Sequence, residues 1–82
     1  MLDATHVSVC STIAAYVDVD PTLVKPEQAL LGDWGLGPDE RSGLAARIEQ
    51  VEKIGLRGDE LAHIETVGQL INLVRARHRL AG

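Results

Sequence analysis

Few residues in this chain could do covalent or acid–base chemistry, and their spacing limits what that chemistry could be. There are three histidines (His6, His63 and His78), one cysteine (Cys10) and three serines (Ser8, Ser11 and Ser42). The histidines stand far apart in sequence and form no H-x-x-x-H or H-E-x-x-H pair, so no zinc-binding helix face is written here. Nor does any pattern supply a base for Ser42, and the plain reading of each histidine is a surface or partly buried ring. Cys10 has no partner for an internal disulfide and belongs to no CxxC or Cys/His cluster. It falls on an apolar helix face, where a small core residue is the simplest role. Gly32, Gly35 and Gly37 do not make a phosphate loop, because no G-x-x-x-x-G-K-[ST] string and no βαβ pattern accompanies them. The expectation is a protein with no catalytic constellation and no metal site, hence not an enzyme in isolation.

Charge and composition narrow the partners. The formal charge is −4, but it is unevenly spread: all the acids precede Arg75, whereas Arg75, Arg77 and Arg79 make the C-terminus basic. An acidic body does not recruit nucleic acid. It does steer towards basic protein surfaces, an attraction that salt would screen. The N-terminal string MLDATHVSVC has neither a basic run nor a long apolar one, so neither a signal peptide nor a membrane span is expected. A cytoplasmic, bacterial-type location follows as the expectation.

The elements that must position these residues are helical. The chain has 82 residues, 45% of them apolar and almost none aromatic, with no Phe, one Trp and one Tyr. A single domain spanning residues 1–82 with an aliphatic helical core is expected. The first helix runs from about Ala4 to Val17, capped by Asp3, with Val7, Cys10, Ile13, Ala14 and Val17 on one face. Pro21 helps to end it. A long connection, Asp18 to Gly37, follows; at that length inside a small domain it should be ordered, anchored by Leu23, Val24, Leu30, Leu31, Trp34 and Leu36. The second helix has the clearest start: Gly37 as N-cap, Pro38 in the first position, then Asp39 and Glu40 on the positive end of the dipole. Its apolar stripe is Leu44, Ile48 and Val51, and Gly55 and Gly58 mark its exit. A short third helix is expected over Asp59 to Ile64, with Leu61 and Ile64 inward. The fourth begins at Thr66 with a T-x-x-Q capping box and buries Val67, Leu70, Ile71 and Val74.

This order, and several strings along it, resemble the acyl and peptidyl carrier protein family. There a long loop ends in D-L-G-x-D-S-L, which opens the second helix. Here Asp33-Trp34-Gly35-Leu36 ends the loop, Leu44 and Ile48-Glu49 follow in the helix, and Ile54-Gly55-Leu56 and Ile64-Glu65-Thr66-Val67 come later. Val17, Val19, Val24 and Leu30 also match apolar positions upstream, and the register runs without gaps over nearly the whole chain. The resemblance implies an all-α, carrier-like four-helix bundle, three helices long and one short, with a long ordered loop between helices 1 and 2.

The departures carry the functional expectation. The family's Asp-Ser-Leu falls on Gly37-Pro38-Asp39. The serine that would bear 4′-phosphopantetheine is replaced by Pro38, the preceding Asp by Gly37 and the following Leu by Asp39. No cofactor is therefore expected at the usual position. Ser42, about one helical turn beyond Pro38, is the sole nearby substitute; its plain reading is an ordinary helix-surface serine. Glu52 stands where the family has an apolar aromatic, with Val51 or Ile54 to cover the gap. Trp34 replaces an aliphatic residue and serves either as a core plug or as an interface anchor. Trp34, Leu36, Asp39, Glu40, Arg41 and Arg47 are the candidate partner-binding residues, although a helix face bearing two arginines could equally be plain solvated surface. The leading expectation is a carrier-like protein that acts through contact with an enzyme of an acyl, polyketide or peptide assembly pathway. The alternatives are a genuine carrier modified at Ser42 or another nucleophile, and an unrelated small helical interaction domain.

Overall fold

The computed structural model describes residues 3–81. It is an all-α bundle of four helices: α1 (Ala4–Val17), α2 (Pro38–Glu52), α3 (Gly58–Leu61) and α4 (Val67–Ala81), with a 3₁₀ turn at Pro21–Leu23. Three are long and α3 is a single turn. Among the described residues no helix is long and apolar enough to cross a membrane.

Each helix starts where its local chemistry directs. Asp3 caps α1, its Oδ1 accepting the His6 N–H at 2.8 Å. Pro38 occupies the first position of α2, where its missing N–H leaves no helical bond unmade, and Glu40 Oε1 reaches back to the Gly37 N–H at 3.2 Å. Thr66 and Gln69 make the reciprocal capping box of α4: Thr66 Oγ1 accepts the Gln69 N–H and Gln69 Oε1 the Thr66 N–H, both at 3.2 Å. α1 and α2 both end on a non-glycine residue in the left-handed region, Asp18 at φ 61° and Lys53 at φ 57°. The N–H groups of these two residues close on the carbonyls of Ala14 and Glu49 respectively.

The core is aliphatic. Ile13 from α1, Leu44 and Ile48 from α2, Leu61 from α3, and Val67, Leu70, Ile71 and Val74 from α4 are essentially inaccessible, joined by Leu30 from the loop. Each such leucine or isoleucine contributes about 1.5–3 kcal/mol of burial.

Four sequence expectations are corrected. On α1 the buried face includes Val9 and not Val7, which is half exposed; Val7 lies roughly 160° around the helix from Val9. In the loop, Val24 and Leu30 are buried but their neighbours Leu23 and Leu31 are exposed; Leu23 ends the 3₁₀ turn and Leu30 and Leu31 lie in a further turn, where adjacent side chains project roughly 100–120° apart. Val51 does line the α1–α2 seam, yet remains half exposed because only the small Ser8, Ser11 and Ala15 stand opposite. Ile54, just beyond the helix, is buried instead. Finally, α3 spans Gly58–Leu61 and not Asp59–Ile64. The carbonyls of Leu61, Ala62 and Ile64, beyond the single turn, accept from the Arg41 guanidinium.

The long loop is fully built into the molecule. Ala29 and Thr66 form an antiparallel bridge, so the loop lies against the α3–α4 connection. The Leu30 N–H donates to Glu65 O at 2.9 Å, Val67 N–H to Gln28 O at 3.0 Å and Gly68 N–H to Pro26 O at 2.8 Å. Gln28 organises the inside of the loop: its Oε1 accepts the Lys25 N–H and the Trp34 Nε1–H, and its Nε2 donates to Leu23 O. Asp33 Oδ2 accepts the Ala29 N–H at 2.6 Å. Gly35, at φ +67°, makes the turn that delivers Leu36 to the core and Gly37 to the start of α2.

Candidate functional site

The candidate site is the mouth of α2, where the loop from Trp34 to Gly37 meets the first helical turn. Pro38, Asp39 and Glu40 are exposed there. Proline offers no hydroxyl, thiol or amine, and the two carboxylates that follow place negative charge on the positive helix end.

Ser42 lies one turn inward and is exposed. Its Oγ donates to Pro38 O at 3.4 Å, a back-bond along the helix. It also abuts α3: a Cβ added at Gly58 would sit 2.9 Å from Ser42 Oγ. Glycine at that position thus lets α3 approach the mouth of α2.

The six candidate partner-binding residues do not share one surface. Trp34 is half buried against the core, with its indole N–H bonded to Gln28 Oε1 at 3.0 Å, an arrangement that fits a plug. Leu36 is buried. Arg41 turns inward: Nε donates to Leu36 O at 2.9 Å, and Nη1 to Leu61 O at 3.1 Å and Ile64 O at 2.9 Å. One guanidinium thereby ties the end of the loop, the start of α2 and the exit of α3. Asp39 and Glu40 remain exposed at the mouth. Arg47, farther along α2, is exposed over a depression of about 270 Å³ against α1, lined also by Ser8, Ser11, Thr12, Ala15 and Val51.

A second polar cluster went unseen in the sequence. The Glu52 side chain, 7% exposed, accepts from Ser8 Oγ of α1 at 2.5 Å and meets His78 Nε2 of α4 at 2.8 Å. The order is serine–carboxylate–histidine, with the carboxylate in the middle. The imidazole is therefore not bonded to the hydroxyl, and the constellation is not that of an activated nucleophile. It joins three helices at the position where the resemblance leads one to expect an aromatic. Its one sequence signal was a glutamate on an otherwise apolar register.

The C-terminal arginines are also largely engaged. Arg75 pairs with Asp3 at 3.0 Å, and Arg77 pairs with Glu60 and donates to Gly55 O at 2.9 Å. Cys10 is free and buried, and that burial pushes its thiol upward from the usual range, against the opposing charge of Lys25. At neutral pH it is a protonated core residue. Among the described residues no group of three His, Cys, Asp or Glu side chains could hold a metal ion. Comparison with protein-family models and with curated proteins returns no match for this chain.

Proposed function

We propose that this protein is a carrier-like domain that works by being recognised by a protein partner, an enzyme of an acyl, polyketide or peptide assembly pathway, and that it carries no phosphopantetheine arm at the mouth of α2. The reading rests on the resemblance noted in the sequence, and one observation carries it. Pro38 stands exposed in the first position of α2, at the end of the ordered loop, where that family would present its serine. The order long helix, long ordered loop, long helix, single turn, long helix supports it. Asp39 and Glu40, exposed at the same mouth, are the residues a basic partner surface would meet.

The test is intact mass after incubation with coenzyme A and a broad-specificity phosphopantetheinyl transferase. The natural chain is expected to keep its mass. A variant carrying Gly37→Asp, Pro38→Ser and Asp39→Leu together is expected to gain one 4′-phosphopantetheine group. A gain by the natural chain that disappears with Ser42→Ala would establish a carrier modified at Ser42. A folded triple variant that the transferase ignores would leave an unrelated helical interaction domain. The partner side of the proposal is tested by co-purification with acyl ligases, ketosynthases or condensation enzymes encoded beside the protein. That association should be lost on Asp39→Lys/Glu40→Lys.

A further inference from the structure

α1 and the segment around the 3₁₀ turn border a groove of about 390 Å³ that shares no lining residue with the α2 mouth. Its apolar lining is Val7, Cys10, Pro21, Val24 and Pro26. Cys10 and Val24 form a floor that is already packed into the core, whereas Val7 is a large apolar side chain that the core leaves half exposed on the wall. Grooves of this size, apolar with a few polar groups at the edge, are the usual form of small-molecule sites.

The charges around it are one-sided. Lys25 and His6 line the groove and no acid does, although the chain as a whole is acidic. Two acids adjoin lining residues in sequence without lining the groove themselves: Glu27, which follows Pro26 and is exposed, and Asp20, which is turned onto its own 3₁₀ turn, its Oδ1 accepting from the Thr22 N–H at 2.9 Å and the Thr22 hydroxyl at 2.7 Å. Lys25 makes no ion pair among the described residues. A desolvating apolar trough beside an ammonium that lacks a carboxylate partner suits a ligand with an apolar body and an anionic end.

We infer that the α1–loop groove is a binding site for a small apolar monocarboxylate, its chain lying on Val7, Val24 and Pro26 and its carboxylate at Lys25. The site is independent of the α2 mouth and of the function proposed for it, so the two can fail separately.

The experiment is a titration of the uniformly ¹⁵N-labelled chain with heptanoate, heptan-1-ol and heptylammonium, followed by amide shifts. Heptanoate should give saturable shifts at Val7, Cys10, Val24 and Lys25. Heptan-1-ol should bind the same amides up to about fivefold more weakly, the upper end expected for losing one exposed charge pair. Heptylammonium should not bind there. Lys25 is exposed, so Lys25→Glu should leave the spectrum folded, abolish the heptanoate response and admit heptylammonium. Lys25→Gln should reduce heptanoate to the level of the alcohol. Equal responses to all three probes, shifts centred on other residues, or no saturation with heptanoate would each overturn the assignment. So would binding only of an acidic amphipathic peptide, which would make the groove a protein-docking surface instead.

Discussion

Glu52 of α2 and His78 of α4 meet at 2.8 Å, and the carboxylate that joins them is almost wholly out of solvent. Ser8 supplies the second bond to that carboxylate, so the three helices share one polar junction inside an otherwise aliphatic bundle. Cutting one member strands the others. Glu52→Ala should therefore lower stability by about 2 kcal/mol, read from the urea midpoint. Replacing all three together with apolar residues, as in Ser8→Ala/Glu52→Leu/His78→Leu, should cost far less, because no partner is left unpaired. A triple variant less stable than Glu52→Ala would show that the junction contributes more than mutual satisfaction.

Arg41 should behave as an interior residue, although its position on α2 reads as surface. Arg41→Ala removes the donors for the carbonyls of Leu36, Leu61 and Ile64 and is expected to cost about 2–3 kcal/mol. Arg41→Lys should recover little, because a single ammonium cannot reach the carbonyls that the Nε and Nη1 edges of the guanidinium serve. Denaturant unfolding of the two variants checks both statements.

The helix ends offer stabilising changes. Lys53 and Asp18 both sit in the left-handed region, which a side chain adopts at a penalty and glycine does not. Lys53→Gly should raise stability by about 0.5–1 kcal/mol. Gly35→Ala, at φ +67°, should lower it by about 1 kcal/mol. Thermal midpoints moving in opposite directions are the expected result.

Gly43 of α2 lies against the Tyr16 ring of α1. A Cβ there would collide with the Tyr16 hydroxyl and lie 3.2 Å from its Cζ. Gly43→Ala should destabilise by about 1–2 kcal/mol, and Tyr16→Phe in the same chain should restore part of the loss. A double-mutant cycle measures the coupling; strict additivity would place the clash elsewhere.

Acid should loosen the contact between α1 and α4. The Arg75 side chain bonded to Asp3, helped by the His6 N–H, holds the Asp3 carboxyl below the ordinary aspartate range. A folded value below the unfolded one gives a stabilisation that is complete above the unfolded value and is lost as pH falls through the folded one. The loss should therefore appear below about pH 4. Asp3→Asn keeps a good N-cap while removing the charge, so its acid-unfolding curve should lie flatter than that of the natural chain in this range.

What the sequence disclosed is uneven in an instructive way. The starts of α2 and α4 were legible because Gly37-Pro38-Asp39 and Thr66/Gln69 act within a few residues of themselves. So was the order of the loop, whose length alone demanded anchoring. The Glu52 junction and the inward turn of Arg41 were not legible. Each depends on groups far along the chain, Ser8 and His78 for Glu52 and the exit of α3 for Arg41. Periodicity assigns a residue to a helix face but does not say what the neighbouring helix offers there. Val51 shows the same limit: its register is right for the seam, and small residues opposite leave it half exposed.

The bridge between Ala29 and Thr66 gives the loop a kinetic character of its own. Because Leu30, Val67 and Gly68 all donate across that junction, the loop cannot lift away without also releasing the first turn of α4. Amide protons at these three residues should thus exchange with solvent in a single concerted opening, at a common free energy. A partner that gripped the loop would then slow exchange at the start of α4, a segment it need never touch.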